Sequence, residues 1–153
     1  LHEKIPIIDM LTIIEAIADI AEFTKAPEVL LEHVRAKLYR LITQKFKDND
    51  GILHIITIKP ELEQQFIGKL QEHHGVSQLM ISIAEINNLV TKTKTLLDEI
   101  EAKGFSKITM VVDPVLRKRI SEIYEKFGLQ VSVLSHAELD SRANFAIEGT
   151  LEF

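Results

Sequence analysis

A chain of 153 residues with 46% hydrophobic and 27% charged residues, four prolines and six glycines can hold one ordinary core or two small subdomains sharing an interface, and its composition excludes disorder and low complexity. A formal charge of -5, from 18 basic and 23 acidic residues with no basic block beyond Arg117-Lys118-Arg119, argues against nucleic acid and points to protein partners. The absence of cysteine excludes disulfides, thiol nucleophiles and Cys-ligated zinc, and Asp9, Glu15 and Asp19 break the run Ile7 to Ile20 short of a membrane span.

Starting at Leu1 with no basic leader or cleavage site, the chain reads as an excised part of something longer. From Ile8 to Phe23, apolar residues at helical spacing, among them Met10, Leu11, Ile14, Ile17 and Ala21, predict an amphipathic helix with Asp9 in its first turn. Pro27 opens a second helix whose stripe is Val29, Leu30, Val34, Leu38, Leu41, Ile42 and Phe46, and the short connection makes the pair a helical hairpin. The turn cluster Asp48-Asn49-Asp50-Gly51 then hands over to a β-branched run, Ile52 to Ile58, which predicts a strand and a subdomain boundary near Asp48, dividing the chain into 1–47 and 48–153.

Pro60 starts a helix carrying Leu62, Phe66, Ile67 and Leu70 and ending before His73-His74-Gly75. Ser82 and Glu85 form a capping box at the head of a long helix with the seam Ile83, Ile86, Val90, Thr93, Leu97 and Ile100, of the kind that packs along another helix, and Gly104 stops it. Ile108 to Val112 reads as a buried strand, with Asp113 as N-cap and Pro114 as first residue of a helix that runs to Phe127 and is stopped by Gly128. A strand from Leu129 to Leu134, a capped turn from Ser135 to Leu139 and a strand from Asn144 to Phe153, with Phe145, Ile147 and Leu151 on one face, complete the expected fold. That fold is a mixed α/β class, an N-terminal helical hairpin subdomain followed by a small mixed α/β subdomain in the order βααβαββ.

Few residues converge for chemistry. His73 and His74 diverge by about 100 degrees on a helix end, and the Asp48 turn lacks the glutamate at position twelve of a calcium loop. The carboxylate pairs Glu61/Glu63 and Glu99/Glu101 point to different helix faces, Ser135-His136 is adjacent rather than convergent, and there is no glycine-rich phosphate loop, so no enzyme, metal or cofactor is expected. Arg35, Lys37 and Arg40 share the second helix, and Arg35 and Arg40, about 140 degrees apart around its axis, are read either as reaching a neighbouring subunit or an internal carboxylate, or as simply solvated.

Ile5-Pro6-Ile7-Ile8-Asp9-Met10, Thr12-Ile13-Ile14-Glu15, Pro27-Glu28, Glu32-His33-Val34-Arg35 and Leu38-Tyr39-Arg40-Leu41-Ile42 closely resemble the third cytoplasmic subdomain of the FlhA/SctV export gate family, the FHIPEP family. Ile58-Lys59-Pro60-Glu61-Leu62-Glu63, Val112-Asp113-Pro114-Val115-Leu116-Arg117 and Val133-Leu134-Ser135-His136-Ala137-Glu138-Leu139 resemble the order and spacing of the fourth, so the likeness covers essentially the whole chain.

The resemblance implies the cytoplasmic portion of a flagellar or type III protein export gate at the cytoplasmic face of the bacterial inner membrane. It implies a homo-oligomeric ring, commonly nonameric, that receives chaperone–substrate complexes, with Leu1 falling part-way through the third subdomain. It also implies subunit contacts through the third subdomain, for which Asp9, Arg35 and Arg40 are the candidates, and no direct membrane contact from this segment. Two departures stand near that corner: Ala26 where relatives place an acidic cap, weakening it by roughly 1 kcal/mol, and Ile8 where relatives often carry arginine. The ending without an extra tail favours flagellar over injectisome use. The rival reading is a small-ligand-binding regulatory or enzymatic α/β domain using the Asp113-Pro114 turn at a strand's C-terminal end.

Overall fold

The computed structural model of the chain describes residues 10–20, 27–48, 50–73, 76–105 and 107–153. In chain order these form α1 (Met10–Ile20), α2 (Pro27–Lys37), α3 (Tyr39–Phe46), β1 (Ile52–Ile58), α4 (Pro60–Gly68), β2 (Leu70–His73) and β3 (Val76–Leu79). There follow α5 (Ile83–Ala102), β4 (Ile108–Val112), α6 (Pro114–Lys126), β5 (Ser132–Ser135), a 3-10 turn (His136–Glu138) and β6 (Asn144–Leu151).

Four strands make one parallel sheet in the order β5-β4-β1-β6, and β2 with β3 forms a separate antiparallel pair. Strands buried on both faces lose the apolar/polar alternation, which is why β1 and β4 read as nearly unbroken apolar runs. One face of the sheet, carrying Ile58, Met110, Val112, Val133 and Leu151, packs against Leu62 and Phe66 of α4, Leu89 of α5 and Leu116, Ile120 and Tyr124 of α6. The opposite face, carrying Leu53, Ile55 and Val111, meets Phe46 and Leu139, and Leu134 joins Ala16, Val34, Leu38 and Ile42 of the first three helices. The mixed α/β class is therefore observed as three layers: helical hairpin, sheet, and a helical layer of α4, α5 and α6.

The hairpin's second arm is two helices rather than one. Leu38 sits at φ -92°, ψ 19° between α2 and α3, and its amide is shared by the carbonyls of Val34 and Arg35. This offset buries Val34, Leu38, Ile42 and Thr43 and leaves Val29 and Leu41 of the expected stripe exposed. The helix start expected at Ile8 and Asp9, the helix end expected at Ala21 to Phe23, and Ala26 lie outside the described residues.

A second correction concerns Leu70 to Glu72, read from the sequence as the end of a helix before a loop at His73, and found together with His73 as strand β2. Gly68 ends α4, the Lys69 amide bonds back to the carbonyls of Phe66 and Ile67, and Leu70 then pairs with Leu79 across β2 and β3, both packing against the main core. Ile67 and Leu70 imitate a helical repeat, while the pairing that decides the matter spans sequence positions and leaves no local trace. The seam of α5 is also shifted: Leu89, Thr93 and Ile100 are buried and Leu96 packs beside them, whereas Ile83 is exposed. α5 lies on the sheet over Gly149 of β6, where an added Cβ would stand 3.1 Å from a methyl of Leu96, so its partner here is the sheet.

The caps are where the sequence placed them. Ser82 Oγ accepts from the Glu85 amide at 3.1 Å, and the Glu85 carboxylate accepts from the Ser82 amide at 3.3 Å. Ser82→Ala is expected to cost about 1 kcal/mol, measured as a lower urea midpoint with an unchanged slope. Gly104 (φ 93°) and Gly128 (φ 73°) end α5 and α6 in the left-handed conformation that glycine adopts without penalty.

The last strand departs most from simple alternation. Ile55 pairs with Ile147 but Ile56 with Gly149, so Glu148 is an extra residue, a bulge. Upstream of it Phe145 and Ile147 share the face of Leu53 and Ile55; downstream Gly149 and Leu151 share the face of Ile56 and Ile58. Phe145, Ile147 and Leu151 were expected on one face. Instead the first two are exposed on the edge strand and Leu151 is fully buried.

Candidate functional site: the polar seam between hairpin and sheet

Where the helical hairpin meets the sheet, the interface is ionic at its centre. Glu138, 1% exposed on the 3-10 turn, receives a two-pronged contact from Arg35 of α2, Nε to Oε1 at 3.1 Å and Nη2 to Oε2 at 2.7 Å. Arg117 of α6, equally buried, places Nε 3.5 Å from the same Oε1 and donates from Nε to Glu32 of α2 at 2.8 Å. Ser135 Oγ donates to Glu138 at 3.3 Å. Thr43 of α3 donates its hydroxyl to the Glu138 carbonyl at 2.9 Å and accepts from the Asp140 amide at 3.0 Å. At the rim, Arg119 pairs with Glu28 at 2.5 Å.

Arg35 thus faces the internal carboxylate of the two partners considered for it. Arg35 is 3% exposed as a residue and braces the hairpin from within. Arg40 lies exposed on α3, with Nε 3.1 Å from the Tyr39 hydroxyl and its guanidinium over the Tyr39 ring. Asp9 lies outside the described residues. Beside the seam runs a groove of about 520 Å³ bordered by α6, edge strand β5 and the side chains of Arg35, Arg117, Lys118 and Glu122. Its floor holds the two guanidiniums already engaged with carboxylates. The seam joins elements: the Ser135 hydroxyl meets a Glu138 carboxylate that Arg35 already engages, and both residues are buried.

The strand ends that the rival reading relies on are occupied by the protein itself. Asp113 caps α6 by accepting from the Val115 amide at 3.0 Å, and its own amide donates to Glu63 of α4 at 3.1 Å. Both α4 and α6 begin with proline, which lacks the N–H an anion would need, and both have a carboxylate at their start. Among the described residues no group of three or more His, Asp or Glu has the arrangement of a metal site. His73 ends β2, and His74 lies outside the described residues.

A second cluster was not singled out in the sequence. His54 of β1, 5% exposed, sits with Nδ1 2.8 Å from Glu148 in the β6 bulge and Nε2 2.6 Å from Asp48, while its ring stacks on Phe105 with centroids 4.3 Å apart. Both ring nitrogens face carboxylates, so both contacts are hydrogen bonds only when the ring is a doubly protonated imidazolium. Burial works against that charge, but the bonds to Glu148 and Asp48 outweigh it and raise the His54 pKa above the ordinary 6.5. Asp48 is held below its ordinary 3.8, first by the Ile52 amide and then by His54. The signal available in the sequence was a histidine inside an otherwise buried apolar strand, a position that demands partners.

The described residues thus form a three-layer α/β module whose hairpin and sheet are joined by a buried ionic seam. The chain belongs to the FHIPEP family, which it matches over residues 1–144. It is 41% identical over 152 residues to the flagellar biosynthesis protein FlhA of Helicobacter pylori, covering 99% of this chain and 21% of that protein. Among solved structures, nonameric EPEC SctV-C has a TM-score of 0.86 at 21% identity, covering 98% of this chain and 44% of that one. The Chlamydia pneumoniae CdsV and CdsO complex gives 0.83 at 20% identity, covering 98% of this chain and 44% of that one. These two likenesses establish the fold.

Proposed function

We propose that this chain is a non-enzymatic scaffold and interaction module of a flagellar-type protein export gate. In this reading it is part of a cytoplasmic region, at the cytoplasmic face of the bacterial inner membrane, that assembles with copies of itself into a ring, commonly nonameric, and helps receive chaperone–substrate complexes. The observation that carries the proposal is the 41% identity between nearly the whole of this chain and a stretch covering 21% of Helicobacter pylori FlhA. Residues 1–47 then belong to the third cytoplasmic subdomain and 48–153 to the fourth, with the Arg35–Glu138 seam fixing one against the other. No helix among the described residues is long and apolar enough to cross a membrane.

Subunit contacts are assigned in this proposal to Asp9 and to the exposed Arg40, with Arg35 supporting them from inside. In a longer, ring-forming chain, Arg40→Glu should raise the concentration for half-assembly about tenfold, equivalent to about 1.4 kcal/mol, as read by mass photometry; an unchanged midpoint removes Arg40 from the interface. The functional proposal is tested by titrating an export chaperone loaded with its substrate against this chain and against a chain that includes the upstream subdomains. Binding by the longer chain alone assigns this segment to the scaffold, comparable binding by both assigns it recognition, and binding by neither sinks the reading.

A further inference from the structure

The bulge in β6 is the point at which the edge strand changes which of its residues face outward, and a side-chain cluster is built on its extra residue. Glu148, the extra residue, reaches back to His54 on the neighbouring strand, and His54 in turn reaches Asp48 in the turn that precedes β1. Asp48 is itself fixed, its Oδ1 accepting from the amides of Asp50 and Ile52 at 2.9 Å each. Phe105, from the loop between α5 and β4, stacks on one face of the ring. The charged groups meeting the ring are therefore Asp48 and Glu148. On the β4 side the partner of His54 is Ile108, and Lys107 directs its ammonium 3.4 Å from the Lys47 carbonyl.

We propose that Asp48, His54 and Glu148 form a proton-held latch that fixes the bulge of β6 and with it the outward display of Phe145 and Ile147. The alternation of a strand has period two, so removing one bulged residue exchanges the faces of everything on one side of it. With the bulge in place, Phe145 and Ile147 are exposed while Gly149 lies under Leu96 and Leu151 is buried. Without it, residues 145, 147, 149 and 151 would share a face, and either Leu151 would leave the core or Phe145 and Ile147 would be drawn off the surface. When His54 loses a proton, one ring nitrogen becomes a lone pair facing a carboxylate, and one of the two bonds is replaced by repulsion.

The direction in pH follows from the shifts. His54 is raised, so its contribution to stability is complete below 6.5 and is lost as pH climbs through the folded-state value. Asp48 is lowered, so its contribution is present above 3.8 and is lost as pH falls through its folded-state value. The latch is closed between the two and opens on the alkaline side through His54.

The test is an NMR titration of the His54 ring in the 153-residue chain, with amide exchange of residues 144–147 followed over the same pH range and divided by the intrinsic rate. The ring should titrate above 6.5, and corrected exchange of these amides should rise at least tenfold as it does. His54→Gln should show the fast exchange at every pH, and Glu148→Gln should lower the His54 titration point. A ring that titrates at or below 6.5, or β6 amides whose corrected exchange ignores the titration, overturns the latch. Because the wild-type titration decides this alone, failure of either variant to fold leaves the test intact.

Discussion

Glu138→Ala is expected to destabilise the chain by about 3–5 kcal/mol, the largest loss foreseen for a single polar substitution here. The carboxylate is 1% exposed and is the shared acceptor of Arg35 and Ser135, with Arg117 beside it. Truncation takes the two-pronged partner from Arg35 and a carboxylate from beside Arg117, inside a medium that solvates a guanidinium poorly. The Thr43 bond goes to the backbone carbonyl at 138 and survives, so the measurement isolates the side chain. Urea unfolding supplies the free energy. The double replacement Arg35→Met with Glu138→Leu should cost clearly less than the sum of the single changes, since removing both charges also removes their desolvation. Additive costs would mean that the two side chains do not act as a pair.

Phe66→Ala should cost about 3–5 kcal/mol. Phe66 is 1% exposed in α4, stands in the core that joins α4, α5 and α6 to the sheet, and meets the Phe153 ring edge-on with centroids 5.8 Å apart. Its removal leaves a cavity bounded on several sides by different elements, which cannot close over it together. The readout is again a urea midpoint, and Phe66→Leu serves as the comparison because it keeps most of the buried volume. A loss under about 1 kcal/mol would show that the site collapses around alanine and that α4 is less tightly held than its burial implies.

Much of the architecture was legible because it is written locally. Ser82 with Glu85, Asp113 with Pro114, and Gly104 with Gly128 fix helix ends through bonds to residues within a few positions, and each was found in place. The hairpin of α1 with α2 and α3 and the apolar strands β1 and β4 followed from period and composition. What was not legible depends on partners far along the chain. Leu70 became strand because of Leu79, Leu151 turned inward because of a bulge opposite Ile55 and Ile56, and α5 chose Leu89 over Ile83 because of the sheet beneath it. The seam shows the same limit. Arg35 was singled out by type and position, but Glu138 lies 103 residues away and nothing near either residue joins them. Family likeness supplied the rest, since the quoted segments identify the family without explaining a single contact.

The order β5-β4-β1-β6 has a consequence for the chain while it is being made. β1 gains β4 on one edge once residues near 112 exist, but its other edge is completed only by β6, whose residues pair with β1 across more than half the chain. Until Leu151 has left the ribosome, a nascent chain carries an open edge of Ile52 to Ile58 whose backbone groups can pair with any extended neighbour. The interval between emergence of β1 and emergence of β6 is thus when this sequence is most exposed to misassociation, and when a chaperone at the tunnel exit has the most to protect.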